Sequence, residues 1–481
     1  MRKIFLITIL ILVMKTLTAC GAEGEEHYEE AAKEDKHLFL ADLEYLIYAL
    51  ENNFALLDVA YWARGFDMRA MAEDVRTDIL ANPEMDVDGF YDSLFMRLSP
   101  MLIANVAHFE LVSPERHLYA LRSYEEYRWF RAMPTHSRLQ YPHVLAFYEP
   151  RHPEGDGTEP NVEAWMIYLA KTTDAGADFF IDRVALFGET QLAEDIAAAR
   201  RAQDTATALA LIDEAAEILI NTPNVATEII EEGRTAYLSV NSFMDHDGLW
   251  DEEKEEIHTF FEKIRDYDHL IIDLRRNRGG RVDYFTDIIM GPNIETNLQM
   301  RGYAFFGPGS YLVETFDQPF ATMFSSGMLA LDNRPRPIAE MLYEFDIPDL
   351  NMDDMRHMDY GFRTMLGINA GRLPRFDGQP AFNGQIWMLT GPQMGSATQI
   401  AAWVAKETDF ATLVGEVTGG NYGGPRIFFD LPNSGILFRM DMLYVTDSRG
   451  RPLEAGTIPH YFNRLGMDAL ETVLSMIEEG W

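Results

Sequence analysis

Ser396 stands where a strand gives way to a helix, within residues 385–407, QIWMLTGPQMGSATQIAAWVAKE, and a serine so placed can do two kinds of work. With Gln399 it forms an S-x-x-Q capping box, in which the hydroxyl satisfies an orphan N–H of the first helical turn. The same orphan N–H groups favour negative charge, so the N–H of Ala397 can hold the oxyanion formed when a serine attacks a carbonyl. The two roles are compatible. A second chemistry-bearing stretch is residues 270–280, LIIDLRRNRGG, where an apolar run breaks into charge and then into Gly279 and Gly280. Paired glycines there mark a tight turn or an exposed backbone N–H that something approaches closely. Taken alone, the stretch reads as a strand leaving a buried sheet.

Other chemistries are poorly supplied. Ser396 is followed by Ala397 and Thr398, so the G-x-S-x-G elbow of α/β-hydrolases is absent. Residues 415–424, GEVTGGNYGG, are glycine-rich but lack the G-K-[ST] ending of a phosphate loop, and no H-E-x-x-H occurs to suggest a zincin.

The elements that must position these residues follow from periodicity. Leu43, Leu46, Ile47, Leu50 and Phe54 recur at three- and four-residue steps and predict an amphipathic helix over 38–57, with further helical segments to about residue 98. Short β-like runs follow at 106–112. Residues 162–220 read as helical again, with Leu209, Ile212, Ala216 and Leu219 on one stripe of a segment that starts near Asp204 and Thr205. Glu231, Glu232 and Gly233 close this region. From 236 strands alternate with helices: strand 236–243, helix 252–264, strand 270–274, then a long irregular section, strand 385–389, helix 396–406 and strand 411–414. That alternation implies an α/β layer around a buried, largely parallel sheet, with catalytic groups on loops at strand ends. Leu270, Ile271 and Ile272 are the continuous apolar run of a strand buried on both faces. In the irregular section Phe305, Phe306, Tyr311, Phe316 and Phe320 either line a substrate groove or pack a satellite core.

Composition bounds the partners. The chain has 481 residues and a formal net charge of -37, which opposes nucleic acid and electrostatic adhesion to an anionic membrane. Its start reads as an export leader: Arg2 and Lys3, an apolar run over 4–14 too short to span a bilayer, then Leu17-Thr18-Ala19-Cys20. The Leu-Thr-Ala-Cys ending resembles a bacterial lipobox, which makes Cys20 a lipidation site. Cys20 is the single cysteine of the chain, so neither an intramolecular disulfide nor a cysteine-based zinc site can form. Residues 1–19 are thus expected as a lipoprotein signal peptide and residues 20–37, acidic and without apolar period, as a tether. The expected location is a bacterial cell membrane, on its extracytoplasmic face, through lipid on Cys20.

Four stretches carry a family likeness: LIIDLRRNRGG, the strand-turn-Ser-Ala-Thr-Gln helix, LVGEVTGG at 413–420 and LEAGTIPH at 453–460. In that order they resemble the C-terminal processing and tricorn-type serine peptidases over residues 236–462, with a weaker likeness from 38 to 112. The resemblance implies an α/β fold with a crotonase/Clp-like ββα catalytic core over 233–481, an N-terminal helical region over 38–115 and a mainly helical insert over 116–232, where no PDZ signature is found and which is either a cap over the site or a packing domain. In the processing branch a lysine after the G-E-x-T-x-G motif acts as base, but Asn421 holds that place here. Lys406 lies ten residues into the helix begun by Ser396, about 15 Å along its axis. The likeness is therefore nearer to the tricorn-like Ser-His-Glu branch. It implies Ser396 as nucleophile, His108 in ANVAHFEL as base, Glu454 as orienting carboxylate, and Gly279 or Gly280 with Ala397 as oxyanion donors. An imidazole within reach is what makes a serine hydroxyl nucleophilic, and a carboxylate orients the ring. No cofactor or metal is implied, and the partner is a peptide or protein substrate. His460 replaces the family's Asp after Pro459, and Gln399 an acidic residue of the processing branch. The missing lysine and the Asp-to-His change leave a second reading, a catalytically inactive relative that binds peptide or an apolar ligand.

Overall fold

The computed structural model describes residues 38–481 except 104–107, 113–116, 118–140, 152–166, 168–169, 172–173, 245–248, 310–327, 333, 372–375, 377, 421–423 and 425. Four helices open this part: α1 (Leu38–Asn53), α2 (Leu57–Arg64), α3 (Met68–Ala81) and α4 (Val87–Ile103). The stripe predicted for the first is real, since Leu43, Leu46, Leu50 and Phe54 are all buried. After α4 comes β1 (Glu110–Leu111), then α5 (Pro142–Tyr148) and the three helices α6 (Asp174–Leu186), α7 (Thr190–Arg201) and α8 (Thr205–Asn221). Asp204 caps α8 by accepting the N–H of Thr207, as its place before the stripe suggested. Phe180, Val184, Ile196, Ile212 and Leu219 give α6–α8 a small apolar core separate from the main one.

The α/β layer has six strands in the order β14-β10-β9-β4-β3-β2: β2 (Val225–Glu231), β3 (Thr235–Val240), β4 (His269–Asp273), β9 (Gln385–Thr390), β10 (Thr412–Gly415) and β14 (Tyr461–Phe462). Pairing is parallel from β14 through to β3 and antiparallel only at the β2–β3 hairpin. The hairpin differs from expectation: Glu231 ends β2 and Glu232, Gly233 and Arg234 form the turn, so the sheet reaches back to Val225 rather than starting after a helical region. Between β3 and β4 runs α9 (Trp250–Lys263); α11 (Ala397–Glu407) follows β9, and α12 (Ala469–Glu478) ends the described chain.

Side-chain alternation explains the unbroken apolar run of β4. Leu270 and Ile272 enter the main core with Ile257, Phe261 and Ile400 of α9 and α11. Ile271, facing the other way, packs with Trp387, Val473, Met476 and Ile477, the last three from α12. A strand covered on both faces has no polar side to show.

The section expected to be irregular holds a second sheet, β13-β5-β8-β6, antiparallel throughout. Its strands are β5 (Leu298–Phe306), β6 (Met328–Ala330), β8 (Tyr360–Ile368) and β13 (Tyr444–Asp447), with β7 (Arg336–Pro337) pairing β8 just before α10 (Ile338–Glu344). Phe305 and Phe306 are buried in the main core, which decides for packing over groove lining at those two; Tyr311, Phe316 and Phe320 lie outside the described residues. A third sheet, β1-β12-β11, joins the early β1 to β11 (Arg426–Asp430) and β12 (Leu437–Asp441). Asp42 of α1 grips the turn of this β11–β12 hairpin: its carboxylate accepts the N–H groups of Asn433 and Ser434, both at 2.8 Å.

Candidate active site

β9 ends at Thr390, the chain turns through Gly391 to Gly395, and Ser396 immediately precedes α11. The capping box expected from S-x-x-Q does not form. Ser396 has φ 54° and ψ -123°, its hydroxyl makes no cap hydrogen bond, and Gln399 is turned into the core to donate to Thr457 Oγ1 at 3.0 Å. An L-residue in that backbone region stores strain and persists only where its surroundings fix it. Here the fixing bonds are Ser396 N–H to the carbonyl of Gly420 at 3.0 Å and Gly419 N–H to that of Met394 at 2.7 Å. The backbone thus aims the hydroxyl away from the helix, as a nucleophile elbow does without the G-x-S-x-G pattern.

The hydroxyl meets His108. Nε2 of His108 lies 3.0 Å from Ser396 Oγ, and Nδ1 lies 2.5 Å from Asp441 Oδ2. Register brings these residues together: β1 pairs β12 with Glu110 opposite Arg439 and Leu111 opposite Phe438, and His108 lies two residues before Glu110 as Asp441 lies two after Arg439, at the end of β12. The neighbouring Glu110–Arg439 ion pair pins the same register from within the sheet. His108, too, has a positive φ, 49°. Among the described residues only His108, Gln203, Ser396 and Asp409 are non-glycine residues with positive φ, so strain falls on both members of this pair.

The carboxylate on the ring is therefore Asp441, not Glu454. An imidazole has two nitrogens, and Ser396 and Asp441 occupy both. Glu454 is buried in a short 3-10 turn, Leu453–Ala455, beneath the catalytic loops. A Cβ on Gly420 would stand 1.9 Å from the Glu454 carbonyl oxygen, and one on Gly456 2.1 Å from that of Thr418. Thr457 N–H donates to Thr418 Oγ1 at 2.7 Å, and the Thr418 hydroxyl in turn donates to Gln399. The E-A-G-T motif thus braces the loop that holds the Ser396 backbone. Asp441 left a sequence signal of its own, since a charged residue inside GILFRMDMLYV is out of place in an apolar strand unless a partner awaits it. Its side chain is wholly buried, and Oδ1 has no hydrogen-bond partner among the described residues. A carboxylate so poorly solvated interacts most strongly with His108 when the ring is protonated.

The glycine stretch behaves as its composition demands. A Cβ on Gly279 would sit 2.7 Å from both Gly395 O and Ser396 Cβ, and one on Gly280 2.3 Å from the Phe243 carbonyl carbon. Asn277, fully buried, holds this loop: its Oδ1 accepts Gly279 N–H at 2.8 Å and the Thr398 hydroxyl at 2.6 Å, and its Nδ2 donates to Val240 O at 3.1 Å. Gly279 N–H is thereby engaged. Phe243 takes up Gly279 O and Arg281 N–H in a parallel bridge, so Gly280 N–H points to the opposite side of that segment. Gly280 N–H and Ala397 N–H have no acceptor among the described residues. Lys406 is far from this chemistry, as helix geometry requires, and donates to Ile458 O at 2.7 Å. His460 accepts Leu413 N–H at 2.9 Å. Asn421 and Cys20 lie outside the described residues, which contain no cluster of three or more metal-binding side chains.

Residues 234–462 match the model of Peptidase family S41. This segment is a peptidase family S41 domain. The chain is accordingly of the serine peptidase class. The S41 domain takes in the strands that deliver Ser396, Gly280 and Asp441, whereas His108 comes from outside it. No curated protein matches the chain. Among solved structures it resembles a protein of Parabacteroides merdae taken to be a peptidase, at 15% identity and TM-score 0.46 over 91% of this chain and 95% of that one. It also resembles mature CPAF complexed with lactacystin, at 18% identity and TM-score 0.34 over 53% of each chain. A third likeness is the photosystem II D1 C-terminal processing protease, at 12% identity and TM-score 0.30 over 50% of this chain and 48% of that one. All three fall below 25% identity and a TM-score of 0.5, so the family assignment rests on the match of residues 234–462.

Proposed function

We propose that the chain is a serine endopeptidase using a Ser396–His108–Asp441 triad, held by lipid on Cys20 to the outer face of a bacterial cytoplasmic membrane. The observation that carries the reading is the chain of contacts from Ser396 Oγ to His108 Nε2 at 3.0 Å and from Nδ1 to Asp441 at 2.5 Å. Those contacts support a histidine-based reaction over a Ser/Lys dyad, with Asp441 in the role expected of Glu454.

Ser396 Oγ attacks the carbonyl carbon of a peptide bond while His108 Nε2 takes the hydroxyl proton. Asp441 keeps the Nδ1 proton in place and stabilises the imidazolium. The carbonyl oxygen becomes an oxyanion held by Ala397 N–H and Gly280 N–H. Collapse breaks the C–N bond, and His108 hands its proton to the leaving amine. A water then repeats the sequence on the acyl-Ser396 ester, releasing the acid and restoring the serine. Anchoring is supported by the basic start, short apolar run and Leu-Thr-Ala-Cys of residues 1–20, and by the acidic stretch after them.

The test is hydrolysis of a mixed peptide library by the purified chain, read by mass spectrometry. New peptide termini with the wild type and none with Ser396→Ala are expected. Cleavage that persists in Ser396→Ala overturns the assignment, and a folded wild type that cleaves nothing favours a binding protein.

A further inference from the structure

The α6–α8 unit has an apolar core of its own, yet one of its arginines is 98% removed from solvent at the catalytic domain. Arg183, in the last turn of α6, uses its Nη1 to donate to the backbone carbonyl of Arg276 at 3.0 Å and to Gln393 Oε1 at 2.9 Å. Those two acceptors belong to different walls of the active site. Arg276 is four residues before Gly280, on the loop that leaves β4. Gln393 is three residues before Ser396, in the turn that leaves β9. Phe187, directly after α6, strengthens the junction: the guanidinium carbons of Arg183 and Arg276 lie 5.0 and 4.7 Å from its ring centre. Arg276 Nε also donates to Leu186 O at 3.0 Å.

We infer that Arg183 is a positioning residue for the peptidase reaction, a clamp from the helical insert that sets the spacing between the Gly280 loop and the Ser396 turn. The inference rests on the serine peptidase reading above. An oxyanion hole works only if its donors are already 2.7–3.1 Å from where the oxyanion will form. One donor, Gly280 N–H, is on the first wall, and the other, Ala397 N–H, is on the second. Asn277 ties these walls from inside through Gly279 and Thr398. Arg183 ties them from outside, through a planar guanidinium that cannot lose its charge and presents donors in a fixed fork. The insert thereby acquires a catalytic purpose that its composition did not show. Ground-state binding of a peptide does not depend on this spacing, whereas oxyanion binding does, so the clamp belongs to kcat more than to KM.

The experiment compares wild type, Arg183→Ala, Arg183→Lys, Gln393→Ala and the Arg183→Ala/Gln393→Ala double variant by two readouts. In steady-state peptide hydrolysis, Arg183→Ala is expected to lower kcat about 10- to 100-fold with KM within about threefold, since misplacement of about 1 Å costs on that order. Arg183→Lys should recover part of the loss, and the double variant should be less impaired than the product of the two single effects. Unchanged kcat, or a loss confined to KM, overturns the proposal. The second readout, amide hydrogen exchange of the free protein, needs no activity. Faster exchange in Arg183→Ala within both 275–280 and 391–397 is expected, with α7 and α8 unchanged. Unchanged exchange in both segments overturns the clamp, even if the wild type proves to have no peptidase activity; faster exchange in an inactive wild-type background supports the clamp and rejects only the peptidase reading.

Discussion

At the scale of residues, the site depends on which carboxylate faces His108. A buried aspartate on Nδ1 fixes the tautomer that leaves Nε2 free to take a proton from Ser396. Asp441→Asn keeps the shape but reverses that preference, and kcat is expected to fall by about 10⁴, the loss such a change causes in a serine triad. Glu454→Gln preserves the buried turn and should keep kcat within a few-fold of wild type. Steady-state hydrolysis by the two variants checks the assignment, and it fails if the glutamate variant is the crippled one. Ser396, Ala397 and the glycine pair were legible in the sequence because helix starts and positive-φ turns leave local signatures. Asp441 stood out only as a charge in an apolar stretch; its pairing with His108 was not legible, since it spans 333 residues through two short strands. The likeness in the E-A-G-T segment drew attention to Glu454, whose neighbourhood turns out to brace backbone. Gln399 misled in the same way, as a local capping pattern yielded to a buried bond with Thr457.

At the scale of elements, the catalytic sheet is held from its far side by α12, and Asp468 shows how. It begins a capping box with Glu471 and also binds Arg275 at 2.9 Å, whose guanidinium grips Asp273 at the end of β4. Burial would raise the Asp468 carboxyl, but the Glu471 N–H and the Arg275 guanidinium outweigh it and hold it below the ordinary carboxylate value. A carboxyl lowered in the folded state adds stability that is fully present above its unfolded value and is lost as pH falls through the lower folded one. Asp468→Ala is therefore expected to cost about 1 kcal/mol near neutral pH. Thermal melts of wild type and variant should converge as pH drops below the ordinary aspartate range, and a gap independent of pH contradicts the linkage. The parallel sheet itself was readable because short apolar strands alternated with helices. The antiparallel β5–β8 sheet was not, because glycines, methionines and a long connection blurred the period of two that marks a half-buried strand.

At the scale of the molecule, the proposed membrane location rests on the leader-like start of the sequence. No helix among the described residues is long and apolar enough to cross a membrane, and the net charge of -37 gives anionic headgroups no purchase. Attachment in the proposed reading rests on lipid alone, so Cys20→Ser should move the protein from the membrane to the soluble fraction of fractionated bacteria without changing peptide hydrolysis. A variant that stays membrane-bound removes the lipid from the account. The molecule also gathers its site from widely spaced parts of the chain: His108 before the insert, Gly280 and Ser396 after it, Asp441 on a hairpin gripped by α1. The measurement that tests this assembly most directly is covalent labelling by a fluorophosphonate, with peptide mapping of the adduct. The triad predicts one adduct, on Ser396, formed by the wild type, lost in Ser396→Ala and slowed by about 10⁴ or more in His108→Ala. A folded wild type that takes no label, or a His108→Ala variant that labels at the wild-type rate, contradicts it.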